Sequence, residues 1–429
     1  MEKILEKEAV QIIMVKTKNI FISLCWIVLF LLFTRSYRIY YFYDIEWLNN
    51  LYTALSKVFV VFIGAIFLLT FFSKGFLNRS FFYCIALLYI FQILSTFIGD
   101  GSFHVLIVTI YPIIGMNCFL SLVCERQSQV KSFISVMSSF MLIMELLNLI
   151  SMRMLPEGYS GGVAGTTYLI GIENQVSLAF LLGFLFCLLD WSYNRCLWKV
   201  LIYLILYCVS SIIIWSGSGV VAMATLLIGI FPICWNTLKK VDLFYLAIVA
   251  FFIIFLVVYL GVLKFFEKEP FNFIFKEILK KDPTFTGRIG LWETLLNQWK
   301  EKPLFGYGVQ ETVNQFVGNS LEPSIRYSAH NQFLQFLWEG GLCSFFCFIL
   351  IIAKASRDLR KCKNEEVETT FKLVLLVLFV VLMSEAASFD SVFFLLGFAG
   401  NIGYARDDKY ETLLLKNVQF SSSKGGKTL

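Results

Sequence analysis

The sequence predicts an all-α integral membrane protein with about twelve transmembrane helices and one large outer loop. The first observation is composition: of 429 residues, 58% are hydrophobic and 15% are charged, whereas a typical soluble domain is about 45–50% apolar and about 25% charged. The second is a series of long apolar runs, and the third is the distribution of Lys and Arg between them. This composition excludes a soluble enzyme, a disordered chain and a nucleic-acid binder.

Twelve apolar runs are candidates for membrane spans, because a bilayer core of about 30 Å requires roughly 20 apolar residues per helix. Each run is apolar on all sides, which is typical of a helix bundle in lipid. The first run and the last two are short. In order, the runs are Ile20–Phe33, Thr53–Phe72, Phe81–Ile98, Phe103–Cys124, Ser132–Met152, Tyr168–Leu189, Leu197–Trp215, Val220–Trp235, Leu243–Phe266, His330–Ala353, Phe371–Ser384 and Val392–Tyr404.

The basic residues predict the orientation of these spans. If the N-terminus is cytoplasmic, every inside segment carries at least two Lys or Arg, whereas the short outside segments hold only Arg35, Arg38, Lys57 and Arg153. Cytoplasmic loops are enriched in Lys and Arg, so both termini are predicted to be cytoplasmic. The chain then divides into a cytoplasmic N-terminal segment (1–19), spans one to nine (20–266), a large extracytoplasmic loop (267–329), spans ten to twelve (330–404) and a cytoplasmic tail (405–429).

The outer loop carries eight basic and eight acidic residues, so it is close to neutral. Apolar residues recur at helical spacing within it, which predicts a short amphipathic helix on the outer membrane surface over Arg288–Trp299. Thr286 is a plausible N-cap, and Pro303 ends the segment. Pro303, Gly306 and Gly308 then predict a tight turn.

Ionisable residues concentrate at the outer ends of the spans. The chain has two histidines, His104 and His330, and both lie at such ends. Intramembrane charges mark a functional site or a water-filled cavity, although each side chain could instead snorkel from a helix end. The 11 cysteines form no CxxC pair, so no metal site is predicted. The other ionisable residues of this outer set are Asp100, Glu145, Arg153, Glu173, Glu385 and Asp390, with Glu339 about nine residues deep in its span.

One block of motifs resembles a known family. It consists of Gly287-Arg288, Trp292, the Pro303-x-x-Gly306-x-Gly308 turn, His330-Asn331, Leu334, Leu337 and Gly340-Gly341. This order is similar to the membrane O-antigen polymerase and O-antigen ligase family (Wzy-like and WaaL-like proteins), whose large outer loop also precedes a late span. Two further stretches look related: Gly171–Asn174 with Ala179, and Ser216–Gly219, where Gly219 stands at a position that is commonly Arg in the family.

The resemblance implies a GT-C-like glycosyltransferase architecture in the bacterial cytoplasmic (inner) membrane. It also implies a reaction at the outer face of that membrane, in which a growing glycan leaves undecaprenyl diphosphate and joins a hydroxyl of the next lipid-linked repeat unit. The expected partners are the lipid-linked donor and acceptor, membrane lipids, a flippase and a chain-length regulator. The family uses no cofactor and no metal, and attack opposite the leaving diphosphate would invert the anomeric centre.

The same resemblance implies roles for particular residues. Arg288 is expected to neutralise the diphosphate, because a guanidinium grips phosphate with parallel charge-assisted hydrogen bonds. His330 is expected to be the general base, because an imidazole with an unperturbed pKa of about 6.5 can accept a proton near neutral pH. Glu173, Glu385 and Asp390 are alternative bases or sugar contacts, and Tyr307 and Trp292 could stack on sugar rings. The candidate substrate-binding residues are Arg326, Arg153, Asn174, Glu173, Tyr307 and Asn331.

Three other functions remain open at the level of the sequence. An O-antigen-type ligase differs from a polymerase only in its acceptor. A lipid-linked oligosaccharide flippase or another transporter also has about twelve spans, but a long structured outer loop late in the chain is not typical of it. A shape-and-division type peptidoglycan glycosyltransferase has a related build and usually fewer spans.

Overall fold

The computed structural model describes residues 20–34, 46–74, 78–158, 161–162, 165–214, 216–249, 252, 273, 288–310, 328–383, 385 and 389–407. The predicted cytoplasmic segment 1–19, most of the ninth predicted span and a large part of the outer loop lie outside the described residues, as does the tail from 408 onward. Thr286 and Arg326 also lie outside them.

The described part is mostly helical. Helices α1 to α9 are, in order, Ile20–Phe33, Glu46–Lys74, Arg79–Ile98, Phe103–Val123, Gln127–Met154, Glu173–Asn194, Leu197–Ile214, Gly217–Ile230 and Pro232–Lys240. Helix α10 covers residues 243–249. Helices α11 to α14 are Arg288–Trp299, Gln332–Leu359, Glu365–Leu382 and Phe389–Ile402.

Within the described ranges, 6 helices are long and apolar enough to cross a membrane, or up to 7 if α8 and α9 count as one bent span. Shorter apolar helices occur at Ile20–Phe33, Ala179–Asn194 and Asp390–Ile402. Helices suit this setting because backbone N–H and C=O groups have no water to bind in hydrocarbon and must pair within the segment. The prediction of a helical integral membrane protein is confirmed.

An aromatic cluster forms the centre of the helix bundle, where α1, α5, α6, α13 and α14 meet. The ring of Phe133 lies 5.6 Å from that of Phe186, and Phe30 lies 5.3 Å from Phe394. These pairs are close to perpendicular, which is a favoured geometry because the positive edge of one ring faces the negative face of the other. On one side of this centre, α12 packs along α3 and α14.

A small sheet lies between α5 and α6, which the all-α prediction did not include. Strands β1 (Gly161–Gly162), β2 (Gly165–Tyr168) and β3 (Gly171–Ile172) pair antiparallel in that order. The Asn148 side chain on α5 accepts a hydrogen bond from the Ile170 amide at 3.3 Å and ties the sheet to the bundle. Glycines dominate this segment and favour the tight turns between such short strands.

The eighth predicted span, Val220–Trp235, is wrong at its end. Helix α8 stops at Ile230, and α9 leaves it at an angle of 85°. Pro232 is the first residue of α9. A proline has no backbone N–H and clashes with the preceding turn, so it suits the start of a helix and interrupts a continuous one.

The tenth predicted span, His330–Ala353, is also corrected. Helix α12 starts at Gln332, extends to Leu359 and contains a break at Gly341, whose backbone has φ 61° and ψ −163°. Helix α12 therefore has a first piece of residues 332–340 and a longer second piece. The break frees backbone carbonyls that an unbroken helix would use, and these carbonyls help to build the candidate site.

Candidate functional site

Three of the candidate residues from the sequence lie together, because Arg288 and His330 both contact the Glu385 carboxylate. Glu385 Oε1 lies 2.9 Å from Arg288 Nη2, and Glu385 Oε2 lies 3.4 Å from His330 Nδ1. The Glu385 side chain is 8% exposed, whereas those of Arg288 and His330 are 15% and 26% exposed. A nearly buried acid thus joins two basic groups that remain partly accessible. We call these residues the Arg–Glu–His cluster.

Helix α11 positions Arg288. Arg288 is the first residue of this helix, and Trp292 and Leu295, four and seven residues on, are both buried. Residues at this spacing share one face of a helix. That face packs against Leu334 and Trp338 on α12. The amphipathic helix predicted from the sequence is confirmed at the predicted bounds, with its Trp292 face against the bundle.

The end of helix α13 positions Glu385. The Glu385 amide donates a hydrogen bond to the Val381 carbonyl at 2.9 Å, so Glu385 continues the hydrogen-bond pattern of the last turn of α13. Asn331 connects this end to the His330 segment, because its Nδ2 donates to the Met383 carbonyl at 3.1 Å. The two segments that carry Glu385 and His330 are therefore directly bonded to each other.

His330 lies in a backbone conformation that non-glycine residues seldom adopt. Its φ is 48°, in the left-handed region. The next residue, Asn331, is the N-cap of α12 and accepts from the Leu334 amide at 3.0 Å. Residues in such conformations persist only when their surroundings fix them, and they concentrate at functional sites. Here the N-cap fixes the backbone on the C-terminal side of His330.

The predicted glycine turn is confirmed, and it inserts into the break of α12. The Tyr307 and Gly308 amides donate to the Trp338 and Glu339 carbonyls at 2.9 Å and 2.8 Å. In the other direction, the Leu342 amide donates to the Pro303 carbonyl at 2.9 Å. The turn thus replaces the helical partners that the break removes, and the N-terminal end of α12 is held in place.

Two glycines are required by this close approach. Gly306 and Gly341 have φ of 67° and 61°. A Cβ atom on Gly306 would lie 2.4 Å from the Trp338 carbonyl oxygen, and one on Gly341 would lie 2.3 Å from the Leu304 carbonyl carbon. Both distances are too short for real atoms, so the turn and the break exclude side chains at these positions.

Tyr307 lies inside the turn. Its ring stacks on Trp338 with centroids 5.6 Å apart, and the Lys302 ammonium lies 4.8 Å from its centroid. Its hydroxyl contacts the Gln298 carbonyl at 3.1 Å and the Glu301 carboxylate at 2.8 Å. Burial, together with the hydrogen bond to Glu301, raises the pKa of Tyr307 to about 12. Through these contacts Tyr307 connects the turn to α12.

The structure places the other candidates on separate elements of the described chain. Arg153 is exposed near the end of α5, and His104 is exposed near the start of α4. Glu173 and Asn174 begin α6, but their side chains are outside the description. Asp390 is buried in the first turn of α14. Glu145 is buried in α5 and accepts a hydrogen bond from Ser210 at 2.5 Å.

Sequence reasoning missed two residues that hold the first piece of α12. Gln335 is buried and bonded to the Ala329 amide, and the Ser95 hydroxyl on α3 donates to the Glu339 carbonyl at 2.5 Å. Gln335 stands four residues before Glu339, which the sequence did single out as a deep carboxylate. That i to i+4 spacing was the available signal for Gln335. Ser95 is remote in sequence and gave none.

Among the described residues, no group of three or more His, Cys, Asp or Glu side chains could hold a metal ion. The Arg–Glu–His cluster consists of a carboxylate, a guanidinium and an imidazole. Together they can bind an anion, orient an imidazole and accept a proton.

Comparison with known proteins bears on the same region. A family model described as O-antigen ligase (Wzy_C) matches residues 204–349. The match includes Arg288, the glycine turn, His330 and the break at Gly341, while Glu385 lies beyond it. No curated protein matches the chain. Over residues 204–349 the chain is thus similar to O-antigen ligases, and the resemblance to the O-antigen polymerase and ligase family that its motif order indicated is confirmed.

Proposed function

We propose that the protein is a polysaccharide repeat-unit polymerase. It transfers a growing glycan from undecaprenyl diphosphate to a hydroxyl of the next lipid-linked unit. The observation that carries the proposal is the Arg–Glu–His cluster, because it joins a phosphate-binding group and a base within a helical membrane protein. The O-antigen ligase match over residues 204–349 supports the same class, whose members are glycosyltransferase-like enzymes of polysaccharide assembly.

In the proposed mechanism the acceptor hydroxyl oxygen attacks the anomeric carbon of the donor. A new C–O bond forms as the bond to the diphosphate oxygen breaks, and attack from the opposite face inverts the anomeric centre. The hydroxyl proton passes to His330 Nε2, and the lipid diphosphate leaves as an anion. Glu385 holds Nδ1–H on the other side of the ring, which fixes the tautomer with Nε2 as the acceptor.

Arg288 binds the leaving diphosphate in this mechanism. A diphosphate is already a stable anion, so it needs charge neutralisation more than protonation. A guanidinium presents five N–H donors in a planar fork, which allows it to bind a carboxylate and a phosphate together. Arg288 bonds Glu385 through Nη2, so the same side chain can link the diphosphate to the acid that orients His330.

The other candidate residues take supporting roles in this proposal. Asn331 and Tyr307 position the site from their buried contacts rather than by touching sugar. Arg326, Arg153, Glu173 and Asn174 remain candidates for contacts to the lipid-linked substrates. No metal takes part in the proposed reaction.

The proposal includes the topology of the whole chain. We infer about twelve spans in a GT-C-like arrangement in the bacterial inner membrane, with both termini cytoplasmic and the 267–329 loop outside. This topology brings the Arg–Glu–His cluster to the face on which flipped lipid-linked glycans are exposed. A flippase and a chain-length regulator are the proposed protein partners.

A ligase is the second candidate, because the matched family model carries that description. A ligase would use the same donor and the same cluster, and it would transfer the finished glycan to a different lipid acceptor. The acceptor therefore separates the two functions, whereas the residues of the cluster do not.

The test replaces His330 or Arg288 by Ala in a strain that depends on this chain, and it analyses surface glycan on a gel. A polymerase variant should leave single lipid-linked units instead of a ladder, with at least about a 100-fold loss of polymer. A ligase variant would instead accumulate long glycan on the carrier lipid. A flippase variant would leave units on the cytoplasmic side.

Matched controls are His104→Ala and Lys300→Ala. His104 is the second of the two histidines, and Lys300 is an exposed cation just beyond α11. Both controls should keep a wild-type ladder. A ladder that persists unchanged in His330→Ala and Arg288→Ala, at equal protein levels, would show that the cluster is not catalytic.

A further inference from the structure

A chain of hydrogen bonds runs from α11 to Glu339, just before the break in α12, and passes through Ala329, the residue before His330. Trp292 Nε1 on α11 donates to the Ala329 carbonyl at 2.8 Å. The Ala329 amide donates to Gln335 Oε1 at 2.7 Å, and Gln335 Nε2 donates to Glu339 Oε1 at 2.5 Å. Ala329, the residue before the proposed base, is therefore held through both its carbonyl and its amide.

The direction of these bonds gives Glu339 a definite role. A backbone N–H can only donate, so Gln335 must turn its oxygen towards Ala329 and its NH₂ group away from it. That NH₂ group needs an acceptor, and the Glu339 carboxylate supplies one. Without an acceptor at position 339, the Gln335 amide could rotate, and the Ala329 amide would lose its partner.

Burial makes this orientation important. Ala329 is 0% exposed, Glu339 is 3% exposed and Gln335 is 6% exposed. In such surroundings no water competes for the bonds, so a donor left without an acceptor is costly. A rearranged Gln335 would therefore shift the backbone at Ala329 rather than leave its amide unpaired.

The strained backbone at His330 depends on this support. Its φ of 48° is held on the C-terminal side by the Asn331 cap and on the N-terminal side by Ala329. Loss of the Ala329 bond would let the segment relax towards an ordinary conformation and move the imidazole away from Glu385. Misplacement of a reacting group by about 1 Å can reduce a rate by about 100-fold.

Glu339 has a second feature that stable packing alone does not explain. Within the described residues its other oxygen, Oε2, has no hydrogen-bond partner, although the atom is buried. A carboxylate inside a membrane span is expensive and usually functional. The Glu339 backbone carbonyl also accepts from Gly308, so the residue connects the glycine turn to the His330 segment.

We propose that Glu339, acting through Gln335, is a positioning residue that fixes the backbone at Ala329 and thereby aims the His330 imidazole. This inference rests on the proposed role of His330 as the base. Glu339 itself touches neither substrate nor reacting atoms. Its contribution is to select one orientation of a buried amide.

The test compares Glu339→Gln with Glu339→Met in the full-length protein in detergent. The substrate probe is a preparation of lipid-linked repeat units extracted from a strain that lacks this chain. Glu339→Gln can still present an oxygen to Gln335 and should stay within about threefold of wild-type kcat. Glu339→Met cannot, and its kcat should fall at least about tenfold while KM changes less than about threefold.

Two further variants separate positioning from general damage. Gln335→Met breaks the same link from its other end, and the double variant with Glu339→Met should lose no more than either single variant, because both act on one connection. Glu145→Met is the matched control, since Glu145 is also a buried carboxylate with one oxygen lacking a partner among the described residues. It should keep kcat within about twofold.

A readout independent of turnover follows the imidazole itself. With His104→Ala as background, His330 is the single histidine in the chain. Its acylation by diethyl pyrocarbonate, measured by mass spectrometry of its peptide, should become at least about threefold faster in Glu339→Met and stay unchanged in Glu339→Gln.

Three results would overturn the inference. They are unchanged kcat and acylation in Glu339→Met, equal kcat losses in Glu339→Met and Glu145→Met, or equal losses in Glu339→Gln and Glu339→Met. A failure of the proposed function would give a different result from a failure of this inference. His330→Ala would then retain turnover, while the acylation rates would still report whether Glu339 orients the ring.

Discussion

At the scale of single residues, Glu385 is the centre of the proposed site because its two oxygens contact two different partners, a guanidinium and an imidazole. A carboxylate accepts through both oxygens, and Arg288 and His330 each take one of them. Gln, the neutral isostere of Glu, has one carbonyl oxygen and one NH₂ group. An amide at position 385 therefore could not accept from both partners in the same arrangement.

We expect Glu385→Gln to lower kcat by about 10- to 100-fold, because the imidazole loses the acid that fixes its tautomer and stabilises its protonated form. The measurement is the rate of glycan elongation with extracted lipid-linked units. Glu293→Gln on α11 is the control, since Glu293 is exposed on the helix that carries Arg288. Unchanged turnover in Glu385→Gln would mean that the contact between Glu385 and His330 is incidental.

At the scale of elements, the glycine turn and the broken helix α12 form one unit. The turn supplies amides to the Trp338 and Glu339 carbonyls, and α12 supplies the Leu342 amide to the Pro303 carbonyl. Such exchanges are needed because a buried backbone group left without a partner costs about 1–3 kcal/mol. The break therefore depends on the turn, and the turn depends on the left-handed conformation at Gly341.

We expect Gly341→Ala to destabilise the folded protein by about 2 kcal/mol or more, because an alanine would both strain the backbone and collide with Leu304. The measurement is the apparent melting temperature in detergent. Gly290→Ala on α11 is the matched control, because a Cβ atom at position 290 would meet no neighbouring group within 4 Å. It should raise stability by about 0.5–1 kcal/mol, because alanine favours a helix more than glycine does. Similar melting temperatures for the two variants would contradict this account of the break.

At the scale of the whole molecule, the sequence predicts the helices whose bounds depend on a local pattern of residues. The helix Arg288–Trp299 was predictable because its apolar residues recur at helical spacing and Pro303 stops it. The break at Gly341 was not, because the Gly340-Gly341 pair lies inside a long apolar run that reads as one continuous span. The contact of Arg288 with Glu385 was not predictable either. It joins segments far apart in the chain, and only the packing of α11, α12 and α13 brings them together.

The predicted orientation of the chain is tested by reporter fusions. Alkaline phosphatase folds only outside the cytoplasm, so a fusion after Lys300 should be active and a fusion after Lys240 should be inactive. A fluorescent protein that needs the cytoplasm should give the reverse pattern at the same two positions. Phosphatase activity after Lys240 alone would place the Arg–Glu–His cluster on the cytoplasmic face and would exclude the proposed reaction.

The pairing of the glycine turn with helix α12 limits how such proteins can be recombined. A chimera that exchanges the outer loop between two relatives, in order to change which glycan is made, would separate the donors at Tyr307 and Gly308 from their carbonyls. Grafts should therefore be cut before Pro303, so that the recipient keeps its own residues 303–309 with its own helix. Specificity would then be exchanged upstream of the cut, and the hydrogen bonds between the turn and α12 would be kept.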